Sequence, residues 1–377
     1  MFIKDLQLEN YRNYEEAQLQ FLPGVYIVKG PNGQGKSNFL ESIYNLCTGR
    51  SYRTTKDLDL VLWNKSFYRI RGTIYAGKRL HKLEIGYEVK DQKKQIKING
   101  IKNSKLAMMP VFPVIFFVPE DLELIRRGPN ERRRFLDREI CQTNSFYADY
   151  LSRYNKILLQ KNKILRDNRY GKDTNKLLRT WNEQIIHFGS RIIVQRKETV
   201  AKWDELANGN FKVLFGPGKK LQLVYKTLIG EGEYGEIPAD LSEVEETFYH
   251  KLSIIEKEEL KRGYSLLGPH RDDLLFLLEE REAKRFASHG QQRSIIIALK
   301  AAQIQIHSQN REKPLFLLDD VFSELDEERR QQCFSLFDSA EQVFLTITKK
   351  EKELEPYLRS FSNNTYLGVM EGKIRGI

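Results

Sequence analysis

Gly30-Pro31-Asn32-Gly33-Gln34-Gly35-Lys36-Ser37 is the stretch that decides the fold class. Its eight residues complete a G-x-x-x-x-G-K-S pattern. The preceding run Val25-Tyr26-Ile27-Val28 reads as a strand. The following residues, Asn38 to Leu46, place apolar Phe39, Leu40, Ile43 and Leu46 at helical spacing. Strand, glycine loop and helix in that order suit phosphate binding. Glycines let backbone N–H groups close around a β-phosphate, and the helix start adds its positive dipole end. Lys36 is expected to reach the β- and γ-phosphates, and the Ser37 hydroxyl to bind Mg²⁺. The chain is therefore expected to bind a nucleoside triphosphate.

Two further elements follow late in the chain. Pro314-Leu315-Phe316-Leu317-Leu318-Asp319-Asp320 is an apolar strand ending in two carboxylates. Beside the loop strand, Asp319 would hold Mg²⁺ directly or through water. Asp320 would orient or deprotonate an attacking water. Before that strand, Ser288-His289-Gly290-Gln291-Gln292-Arg293-Ser294 opens a helix with a hydroxyl residue and a glycine. Its free N–H groups and Ser288 make an anion-binding terminus, although alone the motif is no more than a cap.

Composition narrows the partners. The 377 residues carry a formal net charge of +11. Between Arg126 and Glu198 stand 18 Lys and Arg against 8 acids, whereas Glu231 to Leu260 holds 10 acids and 2 lysines. A local excess nearly equal to that of the whole chain points to a polyanion, with nucleic acid favoured over a solvated helix face. Arg132, Arg133, Arg134, Lys161 and Lys163 are DNA-contact candidates by composition alone. The alternative for the arginines is local pairing with Glu131 and Asp137. Three scattered cysteines, Cys47, Cys141 and Cys333, with no C-x-x-C pair, suggest a reducing compartment. Charges at Lys4 and Asp5 leave no apolar leader. The longest uncharged apolar stretch, Leu106 to Val118, is broken by Pro110 and Pro113 and is too short to span a bilayer. A cytoplasmic protein without membrane contact is expected.

The periodicities divide the chain. Residues 67–98 alternate as antiparallel strands, Asn99-Gly100 is a hairpin turn, and Val114 to Val118 reads as a buried strand. From Pro129 the period becomes helical, with a break around Asn168 to Asn175, glycine-rich loops at 209–218 and 230–238, and an acidic helix at 240–261. Strands at Leu274 to Leu278, Leu315 to Asp319 and Val343 to Ile347 return, with helices from Gly290 to His307 and over 326–337. The expected organisation is a discontinuous α/β head, 1–128 with 262–377, and a helical lobe over 129–261.

Leu8-Glu9-Asn10-Tyr11-Arg12-Asn13-Tyr14 resembles the opening of the structural-maintenance-of-chromosomes (SMC) class of ATP-binding-cassette ATPases. Within that class the chain resembles the bacterial recombination-mediator branch. The supporting residues are Gly30 to Ser37, Pro119-Glu120-Asp121-Leu122, Arg132 to Asp137, Leu267 to Leu274, Ser288 to Arg293 and Leu317 to Asp326. The resemblance implies an α/β phosphate-loop cassette-type ATPase head with an antiparallel β subdomain and a mostly helical second lobe. It also implies ATP and Mg²⁺ as cofactors, with Arg12 and Asn13 near the nucleotide. Two copies would close head to tail on ATP, Ser288, Gly290 and Gln291 of one reaching the γ-phosphate held by Lys36 of the other. Ser323-Glu324-Leu325-Asp326 resembles the loop that crosses that interface. Weak, DNA-stimulated hydrolysis would reset the dimer. The implied partners are duplex DNA, single-strand/double-strand junctions, and RecR with RecO. The implied setting is repair of gapped DNA, replication restart and SOS induction.

Three departures stand out against the broader class. Position 320 is Asp rather than Glu. No histidine follows the strand Val343 to Ile347, leaving Thr346 or Thr348 as a substitute, and Pro119-Glu120 stands where a glutamine is usual. A transporter ATPase subunit is the alternative reading, opposed by the basic stretch and the helical insertion. A nuclease would need a second metal cluster.

Overall fold

A strand buried along its length needs cover on both faces, and the run ahead of the glycine loop obtains it at the middle of a sheet. The computed structural model describes residues 1–376 except 168–173, 217, 239, 309–312, 325–326, 328–329, 332–333, 335–339 and 348–362. The sequence motif at Leu325-Asp326, the expected helix over 326–337, Cys333 and Thr348 thus lie wholly or mainly outside the described residues. Contacts divide the chain into one unit of Met1–Asp121 with Lys300–Ile377 and another of Leu122–Leu299.

The first unit begins with β1 (Phe2–Tyr11), β2 (Tyr14–Gln20), β3 (Gly24–Lys29) and α1 (Lys36–Thr48). It continues through β4 (Phe67–Ala76), β5 (Arg79–Glu88), β6 (Lys93–Ile98), β7 (Ile101–Lys102), α2 (Lys105–Met108) and β8 (Val114–Phe117). The second unit carries α3 (Glu123–Arg126), α4 (Pro129–Thr143), α5 (Ser145–Asp167), α6 (Thr174–Phe215), β9 (Leu221–Lys226), α7 (Leu241–Arg262), β10 (Asp273–Leu278), β11 (Arg281–Glu282) and α8 (Ala283–Phe286). Helix α9 (His289–Ser308) continues across the division. The first unit then resumes with β12 (Leu315–Leu318), β13 (Gln342–Ile347), β14 (Asn364–Met370) and β15 (Lys373–Gly376).

Two six-stranded sheets form the first unit. One has the order β15-β14-β3-β13-β12-β8, parallel except for the β14–β15 hairpin; the other, β2-β1-β4-β5-β6-β7, is antiparallel. Helix α1 lies between them. Phe39, Leu40, Ile43, Leu46 and Cys47 share one core with residues of both sheets, which is why the helix is buried almost all round. The Asn99-Gly100 turn is as expected, with φ of 52° and 81° joining β6 to β7. The C-terminal hairpin β14–β15 adds two strands beyond those that the sequence periodicity predicts.

The second unit packs α5, α6 and α7 against one another and α6 against the sheet β11-β10-β9. Its boundaries differ from 129 and 261. Strand β10 pairs with β9 from Asp273↔Lys226 to Leu278↔Leu221, so the returning strand lies with the insertion. Helix α6 also runs through the expected loop at Gly209. Val200, Trp203, Ala207 and Phe211 continue its apolar stripe at helical spacing, and their burial outweighs the cost of one glycine.

A buried polar seam joins these helices. Arg196 binds the Asp137 carboxylate at 2.7 Å and the Pro269 carbonyl at 2.6 Å. His270 sits beside it as a neutral ring. The Tyr154 hydroxyl lies 2.6 Å from Nδ1, and Nε2 lies 3.2 Å from the Ser265 carbonyl, so one nitrogen accepts and the other donates. Burial pushes the His270 pKa down to about 4. The unfolded chain would bind a proton near pH 6.5, so the fold loses stability as pH falls from that value to about 4. His270→Gln, measured by chemical denaturation at pH 7 and pH 4.5, is expected to flatten this acid-side loss by about 2–3 kcal/mol.

Candidate nucleotide-binding site

The loop between β3 and α1 takes a shape that only its glycines permit. Gly33 and Gly35 have φ of 79° and 117°, and a Cβ on Gly30 would stand 2.3 Å from the Val369 carbonyl oxygen. The loop is closed on itself by its own lysine. The Lys36 Nζ donates to the carbonyls of Gly30 at 2.7 Å and Pro31 at 2.9 Å. Burial lowers the Lys36 pKa, and the negative charges of Asp320 and Asp319 oppose that shift. A phosphate entering here meets an ammonium group whose carbonyl bonds are weaker than an ion pair.

At the C-terminal end of β12 the two carboxylates separate in role. Asp319 is buried. Its Oδ1 accepts from the Ser37 hydroxyl at 2.9 Å and from Thr346 Oγ1 at 2.8 Å, and its Oδ2 lies 3.2 Å from the Tyr52 hydroxyl. Sequence pairs Ser37 with Asp319 as metal ligands, and the fold brings them together across 282 residues. These oxygens suit a hard divalent cation, which would replace the Ser37–Asp319 hydrogen bond. Asp320 has φ of 50°, its N–H donates to Thr346 Oγ1 at 2.8 Å, and its side chain is half-buried. Thr346, one of the two threonines considered for the histidine's place, therefore contacts both acids, while Thr348 lies outside the described residues.

Tyr52 and Arg53 escape a reading of the sequence. The Arg53 guanidinium lies 3.6 Å from Asp319 and donates to Asn38 at 3.0 Å. Nothing in their spacing signals this, because the contact depends on how the chain returns after α1.

Arg12 and Asn13 occupy the turn between β1 and β2. Arg12 forms a forked pair with the buried Glu41 at 2.8 and 2.9 Å and donates to the Asp59 carbonyl. Its guanidinium is thus already engaged inside the unit. Asn13 donates to the Gln34 carbonyl at 2.9 Å and accepts from Asn38. Gln34 turns its own side chain away from the loop interior: its Oε1 accepts the Glu371 N–H at 2.7 Å.

Ser288, Gly290 and Gln291 belong to the second unit. The Ser288 hydroxyl accepts from the Gln291 N–H at 3.3 Å, and the Gln291 side chain accepts the Ser288 N–H at 2.7 Å. This reciprocal cap starts α9. Ser288 is exposed, and a Cβ on Gly290 would meet nothing within 4 Å. No packing among the described residues requires glycine there, and glycine costs a helix about 1 kcal/mol against alanine.

Several basic candidates are spent within the fold. Arg132 forms a two-bond pair with Asp273, both at 2.7 Å, and is buried. Lys161 is fully buried 2.7 Å from Glu259. Neither can reach a DNA phosphate from that position, which corrects the reading by composition. Arg133 is half-buried, donates to the Asp272 carbonyl at 2.6 Å, and has its pKa lowered by burial and the neighbouring Arg196. Arg134, lightly paired with Glu131 at 3.1 Å, and Lys163 face solvent. Among the described residues no helix is long and apolar enough to cross a membrane, and no cluster of His, Cys, Asp or Glu could hold a metal alone.

A family model described as the RecF/RecN/SMC N-terminal domain matches residues 2–365. The DNA replication and repair protein RecF of a Bacillus cereus strain is 36% identical over 351 residues, 92% of each chain. The protein of the same name from Bacillus thuringiensis (strain Al Hakam) gives the same figures, 36% over 351 residues. Among solved structures, the recombination mediator protein RecF-ATP in the RecFOR pathway matches with a TM-score of 0.90 at 29% identity, covering 100% of this chain and 97% of that one. The RecF-ATPrS form matches at 0.86 and 30%, covering 100% and 98%. An Smc head bound to the C-winged helix domain of ScpA, at 0.54 and 13%, shows a shared fold. The α/β cassette-type ATPase architecture expected from the sequence is thereby established.

The two lysines of α5 should separate in a mutational test. Lys161→Ala strands the Glu259 charge inside the unit and is expected to cost about 3–5 kcal/mol of stability, whereas Lys163→Ala should stay within about 0.5 kcal/mol of the parent. Urea denaturation of the two variants checks this.

Proposed function

The chain belongs to the RecF family within the RecF/RecN/SMC group, and on that premise we propose that it is an ATP-dependent DNA-binding protein of replication and recombinational repair. In this reading ATP binding closes two copies head to tail on DNA, and slow hydrolysis releases them. The observation that carries it is the meeting of Ser37, Asp319 and Thr346 at the end of the Lys36 loop. Gly30, Pro31, Asn32, Gly33, Gln34 and Gly35 would wrap the phosphates with the loop backbone, with Lys36 leaving its carbonyl partners for the β- and γ-oxygens. Ser37 and Asp319 would hold Mg²⁺, which supplies charge neutralisation on the phosphates. Asp320 would act on the attacking water, with its backbone set by Thr346. The open space over Gly290 and the exposure of Ser288 support an approach from a second copy, the cap leaving other N–H groups of the first turn of α9 for a γ-phosphate. Arg134 and Lys163 are the remaining DNA candidates among those named. RecR and RecO are the proposed partners, in gap repair, replication restart and SOS induction.

Lys36→Ala is expected to remove ATP binding while keeping the fold, because the ammonium group bonds to carbonyls of the loop itself; calorimetry and circular dichroism check both. Ser288→Arg should leave each monomer able to bind ATP yet block ATP-dependent dimers in sedimentation. Mixing the two variants creates one site with both lesions and one intact site, so partial return of ATPase activity is expected. Loss of ATP binding in isolated Ser288→Arg monomers would mean that the serine acts within its own chain.

For the DNA reading, Arg134→Ala with Lys163→Ala should flatten the slope of log affinity against log salt by about one unit for each phosphate no longer neutralised. An unchanged slope would move the DNA surface elsewhere.

A further inference from the structure

The C-terminal hairpin touches the phosphate loop at several points that a purely supporting strand would not need. Its tip presents two N–H groups to one loop residue: Glu371 donates to Gln34 Oε1 at 2.7 Å, and Gly372 to the Gln34 carbonyl at 3.3 Å. Asn13 donates to that same carbonyl at 2.9 Å. Behind the tip, the Val369 carbonyl occupies the space that a Cβ on Gly30 would need, at 2.3 Å. A Cβ on Gly372, where φ is 70°, would stand 2.0 Å from the Asn13 carbonyl oxygen. At the base of the hairpin, Lys29 lies 3.8 Å over the Tyr366 ring. Two points of the loop, Gly30 and Gln34, are thus seated on β14 and on the turn into β15.

We infer that the β14–β15 hairpin is a clasp that holds the phosphate loop in its nucleotide-ready shape, with Gln34 as the positioning residue between them. The loop's closures through Lys36, to Gly30 and Pro31, must break when phosphate enters. The Gln34 bonds can persist through binding, because they point to the hairpin. They restrict the loop before ligand arrives, and preorganisation of this kind raises affinity by lowering the ordering cost. The clasp rests on the nucleotide reading above, and linkage makes it reciprocal. If the hairpin favours the bound loop, nucleotide must favour the seated hairpin by the same factor.

Hydrogen–deuterium exchange of the full chain, with ATP as the probe, reads this directly. In the parent, ATP is expected to slow exchange of the Glu371 and Gly372 amides. Gln34→Met keeps the side-chain length but removes the acceptor. Its Glu371 amide should exchange faster without nucleotide, and ATP affinity should fall by about 5- to 10-fold, the effect of one lost hydrogen bond. Gln34→Glu restores an acceptor and should restore protection of Glu371. Gly372→Ala strains the tip from the hairpin side and should weaken ATP binding without altering any loop residue. Unchanged exchange at both amides in an ATP-saturated parent would overturn the clasp, as would parental affinity in Gln34→Met. Failure of the parent itself to bind ATP is a different result, which removes the nucleotide reading and the clasp with it.

Discussion

One buried carboxylate organises the head. Asp319 directly follows β12, accepts from Ser37 at the start of α1, and accepts from Thr346 within β13. Three elements far apart in the chain are therefore held in register by one side chain. The Asp319 N–H also donates to the Phe117 carbonyl at 2.9 Å, extending the tie to β8. A buried carboxylate needs such partners, since an ionised group without them would be expelled or neutralised. The same requirement makes the site receptive to a cation. The side chains in contact with the carboxylate are neutral hydroxyls and the partly exposed Arg53, so a divalent ion offers a stronger counter-charge than any of them.

How much of this could be read from residues alone depended on the range of the interaction. The loop was legible because its chemistry is local: glycine positions, a lysine and a hydroxyl within eight residues, between a strand and a helix. The Asp319 strand was legible for a similar reason, as a short apolar run closed by charge. Thr346 stood beside Thr348 in the sequence, and its contact with both acids depends on the parallel pairing of β12 with β13. Tyr52, Arg53 and the hairpin clasp left no signal. Their roles arise from the return path of the chain, and the Gln34–Glu371 bond spans 337 residues.

Charge was the least transferable clue. The basic stretch from Arg126 to Glu198 suggested a polyanion surface, yet Arg132 and Lys161 serve as internal ties to Asp273 and Glu259. Counting charges within a window does not see acids that arrive from distant positions. Lys161 lies 98 positions before its partner and Arg132 141 before its own, so their pairing is a property of topology. The apolar stripe of α6 taught the opposite lesson: it was continuous in the sequence, but Gly209 obscured it.

Residue 320 gives the candidate site a property that side-chain chemistry would not suggest. With φ at 50°, its backbone lies in the left-handed region, which Asp enters more readily than most residues other than glycine and asparagine. The N–H bond to Thr346 fixes that conformation. A glutamate here would have to accept the same backbone twist while carrying an extra methylene. The backbone twist at this position is thus tied to the hydroxyl on the neighbouring strand. Positions 320 and 346, 26 residues apart, thus set one backbone geometry between them.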